Sequence, residues 1–391
     1  MNPSLPPHPV PCLFMRGGTS KGPFFQARDL PADIRKRDQV LLAIMGSPDK
    51  RQIDGLGGAH PLTSKVGIVR PSSVPGVDLD FLFAQLQPDK DTVDTTPNCG
   101  NMLAAVVPFA LESGMLHATT DTTTLRVLTL NTDMQCDITV QTPMGPDGQR
   151  FVADTGEARI DGAPGTSAPI TINFLDTAGS VCSGLLPTGR VKDRVRVLPT
   201  DKLIGFEPFE IDVTCIDNGM PLVLFQASDM GRTGYESAEQ MNADTELKTR
   251  IEALRLQVSV LMGLGDVSQK NYPKMTLIAP PLHGGSLTTR SFIPHVCHDA
   301  IGVLAAVTVG TACVLRGSVC EGVAVMQTGS AQALSIEHPT GEFSVALQTR
   351  EAPALPGGHE VTQAALLRTA RLIMRGEAMV PAHIWNSGDA T

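Results

Sequence analysis

Two side chains in this sequence have the type and setting needed to move a proton. Cys99 lies in Pro97-Asn98-Cys99-Gly100-Asn101, a tight polar turn that runs into the apolar stretch 102–111. The pattern predicts a buried helix opening at that turn. Asn98 is the expected N-cap, because its side-chain oxygen can accept from a free N–H of the first turn. Orphan N–H groups and the positive end of the helix dipole would then surround the thiol. Such a setting lowers a cysteine pKa and supplies thiolate near neutral pH. Gly100 lets another group approach the backbone closely. The competing reading is a small buried cysteine in a turn.

The second side chain is Lys65. The run Thr63-Ser64-Lys65-Val66-Gly67-Ile68-Val69 is β-branched and alternating, which predicts a strand. Facing inward, Lys65 would be desolvated, and burial lowers a lysine pKa until the amine can act as a base. Facing outward it would be a solvated surface charge, and the pattern alone leaves both orientations open. A third stretch, Gly17-Gly18-Thr19-Ser20-Lys21-Gly22, sits between two strand-like runs. It lacks the GxxxxGK[ST] spacing of a phosphate loop and no helix follows it. As a hairpin turn it can still offer N–H and hydroxyl donors to an anion.

These residues need a scaffold, and the remaining pattern predicts one. Helical spacing covers 33–45, and strands are expected over 79–87, 125–130, 137–141, 158–160 and 170–174. The helix after Cys99 is expected to end near Gly114. Leu186-Pro-Thr-Gly-Arg190 reads as a linker. Beyond it the order recurs: strand 213–216, the turn Asp217-Asn-Gly-Met-Pro221, strand 222–225, helix 245–262. Lys274 then opens a lysine-then-strand pattern like that of Lys65. Pro294-His-Val-Cys-His-Asp299 leads to Val303-Leu-Ala-Ala-Val307, echoing Met102-Leu-Ala-Ala-Val106, and strands follow at 332–337 and 342–347. A helix over 362–374 and a closing strand near 378–384 complete the tail.

The expected fold class is therefore α+β, a duplicated domain with a period far longer than any solenoid repeat. The halves are placed at 1–187 and 188–375, with the tail 376–391 free to pack back on the first. Both central helices are apolar nearly all round and must be wrapped by other structure. A curved antiparallel sheet is the simplest wrapper.

Composition narrows the function classes. A formal charge of −9 and 4% aromatic residues argue against a nucleic-acid binder. No run of about 18 apolar residues is present to span a membrane, and the Pro-rich start lacks the form of a signal peptide. Eight cysteines without a CxxC pair argue against zinc and against a disulfide framework. A reduced, cytoplasmic protein without metal is expected.

Taken together, Met15-Arg-Gly-Gly-Thr-Ser-Lys-Gly22, Leu62-Thr-Ser-Lys-Val66, Asn98-Cys-Gly-Asn101, Cys215-Ile-Asp-Asn-Gly-Met-Pro221 and Glu337-His-Pro-Thr-Gly-Glu342 resemble the methylaconitate cis–trans isomerase family. Ser291-Phe-Ile-Pro-His295 and Gly265-Asp-Val-Ser-Gln269 are most similar to its branch acting on an oxo-tricarboxylate in gallate breakdown. The resemblance spans nearly the whole chain in one order. It implies a diaminopimelate epimerase-like fold, with two pseudo-symmetric domains, each a β-barrel-like sheet around a central helix. It further implies proton-transfer isomerisation with no cofactor, a small anionic tricarboxylate as substrate, and a homodimer.

Carried over by motif, the catalytic pair is Lys65 and Cys99. The substrate contacts are Thr19, Ser20, Ser64, Asn98, Gly100, Asn101, His338 and Gly341, with Arg290, His295 and His298 as further cationic candidates. Aligning the two Leu-Ala-Ala-Val segments sets Ala300 opposite Cys99, so a two-thiol racemase is disfavoured and a Lys/Cys isomerase favoured. Which of the pair is base and which acid stays open. So does the reaction: keto–enol tautomerisation, a 1,3-allylic shift or cis–trans isomerisation. A protein that only binds carboxylates would share these motifs, and solvent deuterium entering the ligand separates it from an enzyme.

Overall fold

In the computed structural model, which describes residues 5–175, 177–200, 203–327 and 329–386, the amino-terminal alternation forms an antiparallel hairpin. Its strands are β1 (His8–Gly17) and β2 (Ser20–Gln26), joined at Gly18-Thr19. Helix α1 (Ile34–Met45) follows, its first turn closed by Asp33, whose carboxylate accepts from Lys36 N–H at 2.9 Å. The chain returns as β3 (Lys65–Pro71), parallel to β2, then as β4 (Leu79–Leu86), antiparallel to β3. After the short β5 (Val93–Asp94) come two helices, α2 (Gly100–Leu103) and α3 (Val106–Glu112). Strand β6 (Thr122–Thr129) lies parallel to β4, and β7 (Met134–Gln141) and β8 (Ile170–Phe174) extend the sheet antiparallel.

The same order then repeats. Strand β9 (Asp193–Val197) pairs antiparallel with β10 (Phe209–Asp217), which forms a hairpin with β11 (Pro221–Gln226). Helices α4 (Ala238–Ala243) and α5 (Thr245–Leu261) lead to β12 (Lys274–Ala279), parallel to β11, and β13 (Leu287–Phe292), antiparallel to β12. A single central helix α6 (Val303–Val314) precedes β14 (Ala331–His338), parallel to β13. β15 (Gly341–Glu351) and β16 (His359–Arg368) continue antiparallel. Finally β17 (Ala370–Val380) pairs with β1 over its full length, and α7 (Ala382–Trp385) stacks Trp385 on His8. The expected α+β class and its duplication are both present.

Each sheet has helices on two faces for a hydrophobic reason. On one face, Val40, Leu41 and Ile44 of α1 bury against Val10, Phe25, Val66 and Ile68. In the repeat, Ile251, Leu254 and Val258 of α5 bury against Val213, Val223 and Met275. The apolar helix takes the other face, α6 packing on β10, β11, β14 and β15.

Three sequence expectations are corrected. The tail is strand, not helix, across 362–374. Its apolar spacing suits a helix, but β15 and β1 offer long unpaired edges, and the ladders along them override local propensity. The helix after Cys99 is broken at Ala104-Ala105. Pro108 has no N–H to give the carbonyl of Ala104, so the helix restarts at Ala105, whose carbonyl accepts from Phe109. Residues 158–160 contribute only an isolated bridge from Ala158 to Ser167.

The chain divides into Met1–Leu175 with Leu367–Thr391, and Asp176–Leu366. The first division falls before the predicted linker because Asp217 of β10 fastens the segment ahead of it. The carboxylate of this fully buried residue accepts from the Ser180 hydroxyl at 2.7 Å and from the N–H groups of Val181 and Cys182 at 2.7 and 2.8 Å. Asp217→Ala strands three donors and is expected to cost roughly 2–4 kcal/mol. Urea unfolding checks this, and a wild-type midpoint would refute it.

Candidate active site

Strand β3 begins at Lys65 and carries it into the interior of the first unit, where the residue is only 7% exposed. The inward orientation is therefore the one adopted. Strand β2 comes in so close beside it that a Cβ on Gly22 would stand 1.8 Å from the Lys65 carbonyl oxygen. Lys65 Nζ donates to Cys99 Sγ at 3.4 Å and lies 5.5 Å from the centroid of the Phe83 ring. Cys99 is 9% exposed. An amine and a thiol are thus held in mutual hydrogen-bond reach with little water around them.

The local frame differs from expectation at the thiol. Cys99 itself is the N-cap of α2, with its carbonyl accepting from Leu103 N–H at 2.9 Å. Asn98 instead turns its side-chain oxygen onto the Cys99 N–H at 2.8 Å. Because Pro108 cuts the helix short, α2 is a single turn and its dipole is correspondingly small. The dominant local charge near Sγ is the Lys65 amine. Elsewhere, burial pushes the Cys12 and Cys297 thiols up to about 11 and that of Cys182 to about 12, and raises Cys136 and Cys215 as well. Those sulfurs are held as thiols and are poor bases.

Two of the predicted contacts of the first unit, Thr19 and Asn101, meet each other. Gly18, in the left-handed region at φ +53°, packs so tightly that a Cβ would stand 2.2 Å from Asn101 Oδ1. Across that contact Asn101 Nδ2 donates to Thr19 Oγ1 at 2.9 Å. Ser20 Oγ is buried and has no hydrogen-bond partner among the described residues. A buried hydroxyl left unpaired costs stability unless something else meets it. Ser64 is fully buried, and its hydroxyl lies 2.7 Å from Gln52 Oε1 and 2.9 Å from the His60 carbonyl. It serves the loop that seats Lys65.

Gln52 was not anticipated. Its amide also accepts from Ala59 N–H and donates to Ser47 Oγ, tying 47–64 together. Asn131 was missed as well: it exchanges hydrogen bonds with both backbone groups of Phe83, the ring beside Lys65. No motif marked either residue, since each acts through backbone or amide partners far away in sequence.

In the second unit, an open cavity of about 510 Å³ brings together Arg290 and His338, with Tyr235, His283 and Thr340. Arg290 is buried on β13 and donates to the carbonyls of Glu236 and Thr289. His338 and Gly341 flank the Pro339-Thr340 turn, and His338 Nδ1 lies 3.2 Å from the Asp299 carbonyl. That turn follows Glu337, whose carboxylate accepts from the Thr288 hydroxyl and from Leu282, His283 and Gly285 N–H. Burial would raise the Glu337 pKa, but these four donors outweigh it and hold it below the usual range.

His295 stands apart. It is 3.4 Å from Glu252, which is paired with the fully buried Arg255, so its neighbour is a structural ion pair. His298 is exposed in a neighbouring recess beside Asp299. Cys297 is buried, with its N–H on Asn242 Oδ1, and the N-cap of α6 is Gly302 rather than the Ala300 that the motif alignment set opposite Cys99. No second thiol stands at that helix start.

Among the described residues no group of three or more His, Cys, Asp or Glu is disposed to hold a metal, and no helix is long and apolar enough to cross a membrane.

Comparison with known proteins identifies the relatives of this chain. The family described as PrpF protein matches residues 8–381. A (4E)-oxalomesaconate Delta-isomerase of Novosphingobium sp. is 51% identical over 371 residues, covering 95% of this chain and 97% of that protein. A 4-oxalomesaconate tautomerase of Pseudomonas putida is 49% identical over 376 residues, covering 96% and 97%. The crystal structure of a methylitaconate-delta-isomerase superposes with a TM-score of 0.80 at 33% identity, covering 99% of each chain.

Proposed function

The chain belongs to the PrpF protein family, and from that premise we propose that it is a proton-transfer isomerase of 4-oxalomesaconate, interconverting keto and enol forms. The observation that carries this reading is the Lys65–Cys99 pair at 3.4 Å, buried and asymmetric. In 4-oxalomesaconate a CH2 group lies between the oxo carbon and the alkene, so its protons are acidified from both sides. One member of the pair takes such a proton, and the electron pair left behind delocalises as a dienolate. The other member delivers a proton to the enolate oxygen, giving the enol. Proton and charge balance without any redox partner. Positioned acid–base groups of this kind contribute about 10²–10⁴-fold.

The substrate's carboxylates account for the rest of the machinery. Ser20 supplies a buried hydroxyl with no partner among the described residues, and Thr19, Asn98, Gly100 and Asn101 are the further hydroxyl, amide and N–H donors that the motifs assign. Ser64 acts by holding the Lys65 strand in place. The motifs also assign His338, Gly341 and Arg290 as substrate contacts. The enzyme is read as a cytoplasmic homodimer of aromatic-acid (gallate) breakdown that needs no cofactor.

A second reading keeps the skeleton and moves the proton to carbon, a 1,3-allylic shift. It is favoured by the Delta-isomerase name of the Novosphingobium relative. Cis–trans isomerisation of 2-methylaconitate has less similar relatives behind it. Incubating purified protein with 4-oxalomesaconate in D2O, followed by ultraviolet absorbance and proton NMR, separates them. The tautomerase loses its CH2 signal and gains the enol chromophore, whereas the allylic isomerase gains a deuterated carbon at the far end. A ligand that binds without taking up deuterium would sink both.

A further inference from the structure

Within the second unit, Arg290 stands on the face of the sheet turned away from the start of α6. Along β12 and β13, Met275 lies opposite Phe292 and Leu277 opposite Arg290, and the first three belong to the core under α5. Thr276 and Ser291 alternate to the other face, where their hydroxyls meet at 3.0 Å. Lys274 shares that other face, and a Cβ built on Gly302, the N-cap of α6, would stand 3.7 Å from its Nζ. The guanidinium of Arg290 is instead directed to the layer of α4 and α5, and its Nε donates to the Glu236 carbonyl just ahead of α4.

There it borders the open cavity of about 510 Å³, a size that suits a small organic ligand. Arg290 is only 6% exposed, and a charge so far from water needs a partner. Nε and Nη1 have the carbonyls of Glu236 and Thr289, whereas Nη2 makes no hydrogen bond among the described residues, and the group is in no ion pair there. Burial lowers its pKa, and the charges of Cys297, Glu236 and Glu337 offset that only in part. Glu337, the buried acid of the cavity wall, already accepts from four donors. A guanidinium with a free N–H is shaped to take a carboxylate.

The rest of the wall selects among carboxylates. Leu282, Tyr235 and Pro339 give it apolar surface, and Leu282 and Tyr235 are 52% and 37% exposed. The Tyr235 hydroxyl is turned to the Pro280 carbonyl, which leaves its ring for apolar contact. Glu239 and Asp299 also line the cavity and are exposed, so further negative charge on a ligand would be repelled. We propose that this cavity binds a monocarboxylate with an apolar body, its carboxylate on Arg290 and its body against Leu282 and Tyr235. The motifs give Arg290 to the tricarboxylate substrate instead. Both ligands would reach the guanidinium through a carboxylate, and the test has an arm for each.

The first probe is benzoate, rigid and singly charged, titrated calorimetrically into the full chain as wild type, Arg290→Met and Arg290→Lys. Loss of the charge-assisted pair is expected to weaken benzoate binding about 10- to 100-fold in the methionine variant, with lysine restoring part of it. Leu282→Glu covers the case in which Arg290→Met fails to fold. Its side chain is half exposed, its N–H still donates to Glu337, and a carboxylate in the apolar wall should weaken benzoate comparably. The second probe is propane-1,2,3-tricarboxylate, which should leave bound benzoate in place and bind wild type and Arg290→Met alike. Displacement of benzoate by the tricarboxylate, with tricarboxylate affinity lost in Arg290→Met, returns Arg290 to the substrate and overturns the proposal. No measurable benzoate binding by wild type, or equal benzoate affinity in wild type and variants, overturns it as well.

Discussion

Lys65→Met is expected to lower kcat by about 10²–10⁴-fold while leaving the protein as stable as before. The two halves of that expectation have different sources. Methionine is unbranched and close to lysine in length and volume, so it fills the space of the stem and gives up the amine's approach to the Phe83 ring. What it removes is a 7% exposed amine with no carboxylate partner among the described residues. A buried amine forfeits its hydration for one contact with a sulfur, and an apolar group of similar size loses that contact but also escapes the desolvation cost, so the two effects oppose each other. Chemistry is the only reason on view for a charge in that place. A lysine kept for structure would give the reverse result, a lower melting temperature with turnover intact. Ultraviolet turnover assays and thermal melts on the same preparation check both halves, and wild-type turnover would remove Lys65 from the mechanism.

What the sequence made legible follows from which forces act locally. The duplication could be read because both halves use the same alternation of β-branched strands and the same all-apolar central helix, and burial on a sheet writes directly into such patterns. Strands 359–368 and 370–380 could not, because Ala364, Leu366, Leu367 and Leu372 have helical spacing and good helix propensity. Their partners, β15 and β1, are specified elsewhere in the chain. Cys99 and Lys65 were legible as motif residues, yet nothing in their spacing of 34 positions states that Nζ reaches Sγ. That contact depends on Gly22 letting β2 close upon β3 and on α2 beginning at Gly100, which leaves Cys99 as its cap. Gln52 is the extreme case. It lies in the left-handed region at φ 49°, buried in a loop, and its importance consists of amide contacts at Ser47, Ala59 and Ser64.

The asymmetry between the units bears on mechanism. A racemase must deliver a proton to either face of one carbon, and two like groups at two equivalent helix starts suit that task. Here the helix starts hold a cysteine in one unit and a glycine in the other, each beside a strand-opening lysine. An isomerase that takes a proton from one atom and places it on another needs two different groups within reach of one conjugated system. The first unit holds both, an amine and a thiol 3.4 Å apart.

Cys99→Ala completes the test, and its value lies in being measured beside Lys65→Met. Net conversion is expected to fall by about 10²–10⁴-fold in this variant too, since either proton transfer alone leaves the reaction unfinished. Abstraction can still occur in the variant that retains the base: the proton leaves carbon, exchanges with solvent and returns to the same carbon. In D2O that variant should wash deuterium into the CH2 position of 4-oxalomesaconate without forming product, above the rate without enzyme. Exchange in Cys99→Ala but not in Lys65→Met makes the lysine the base and the thiol the donor; the opposite pattern reverses the roles. Cys99→Ser sharpens the reading, because a serine hydroxyl preserves the shape beside Lys65 yet is too weakly acidic to supply an anion near neutral pH. Wild-type turnover in Cys99→Ala would dissolve the pair, and the 3.4 Å contact between Nζ and Sγ would then be packing alone.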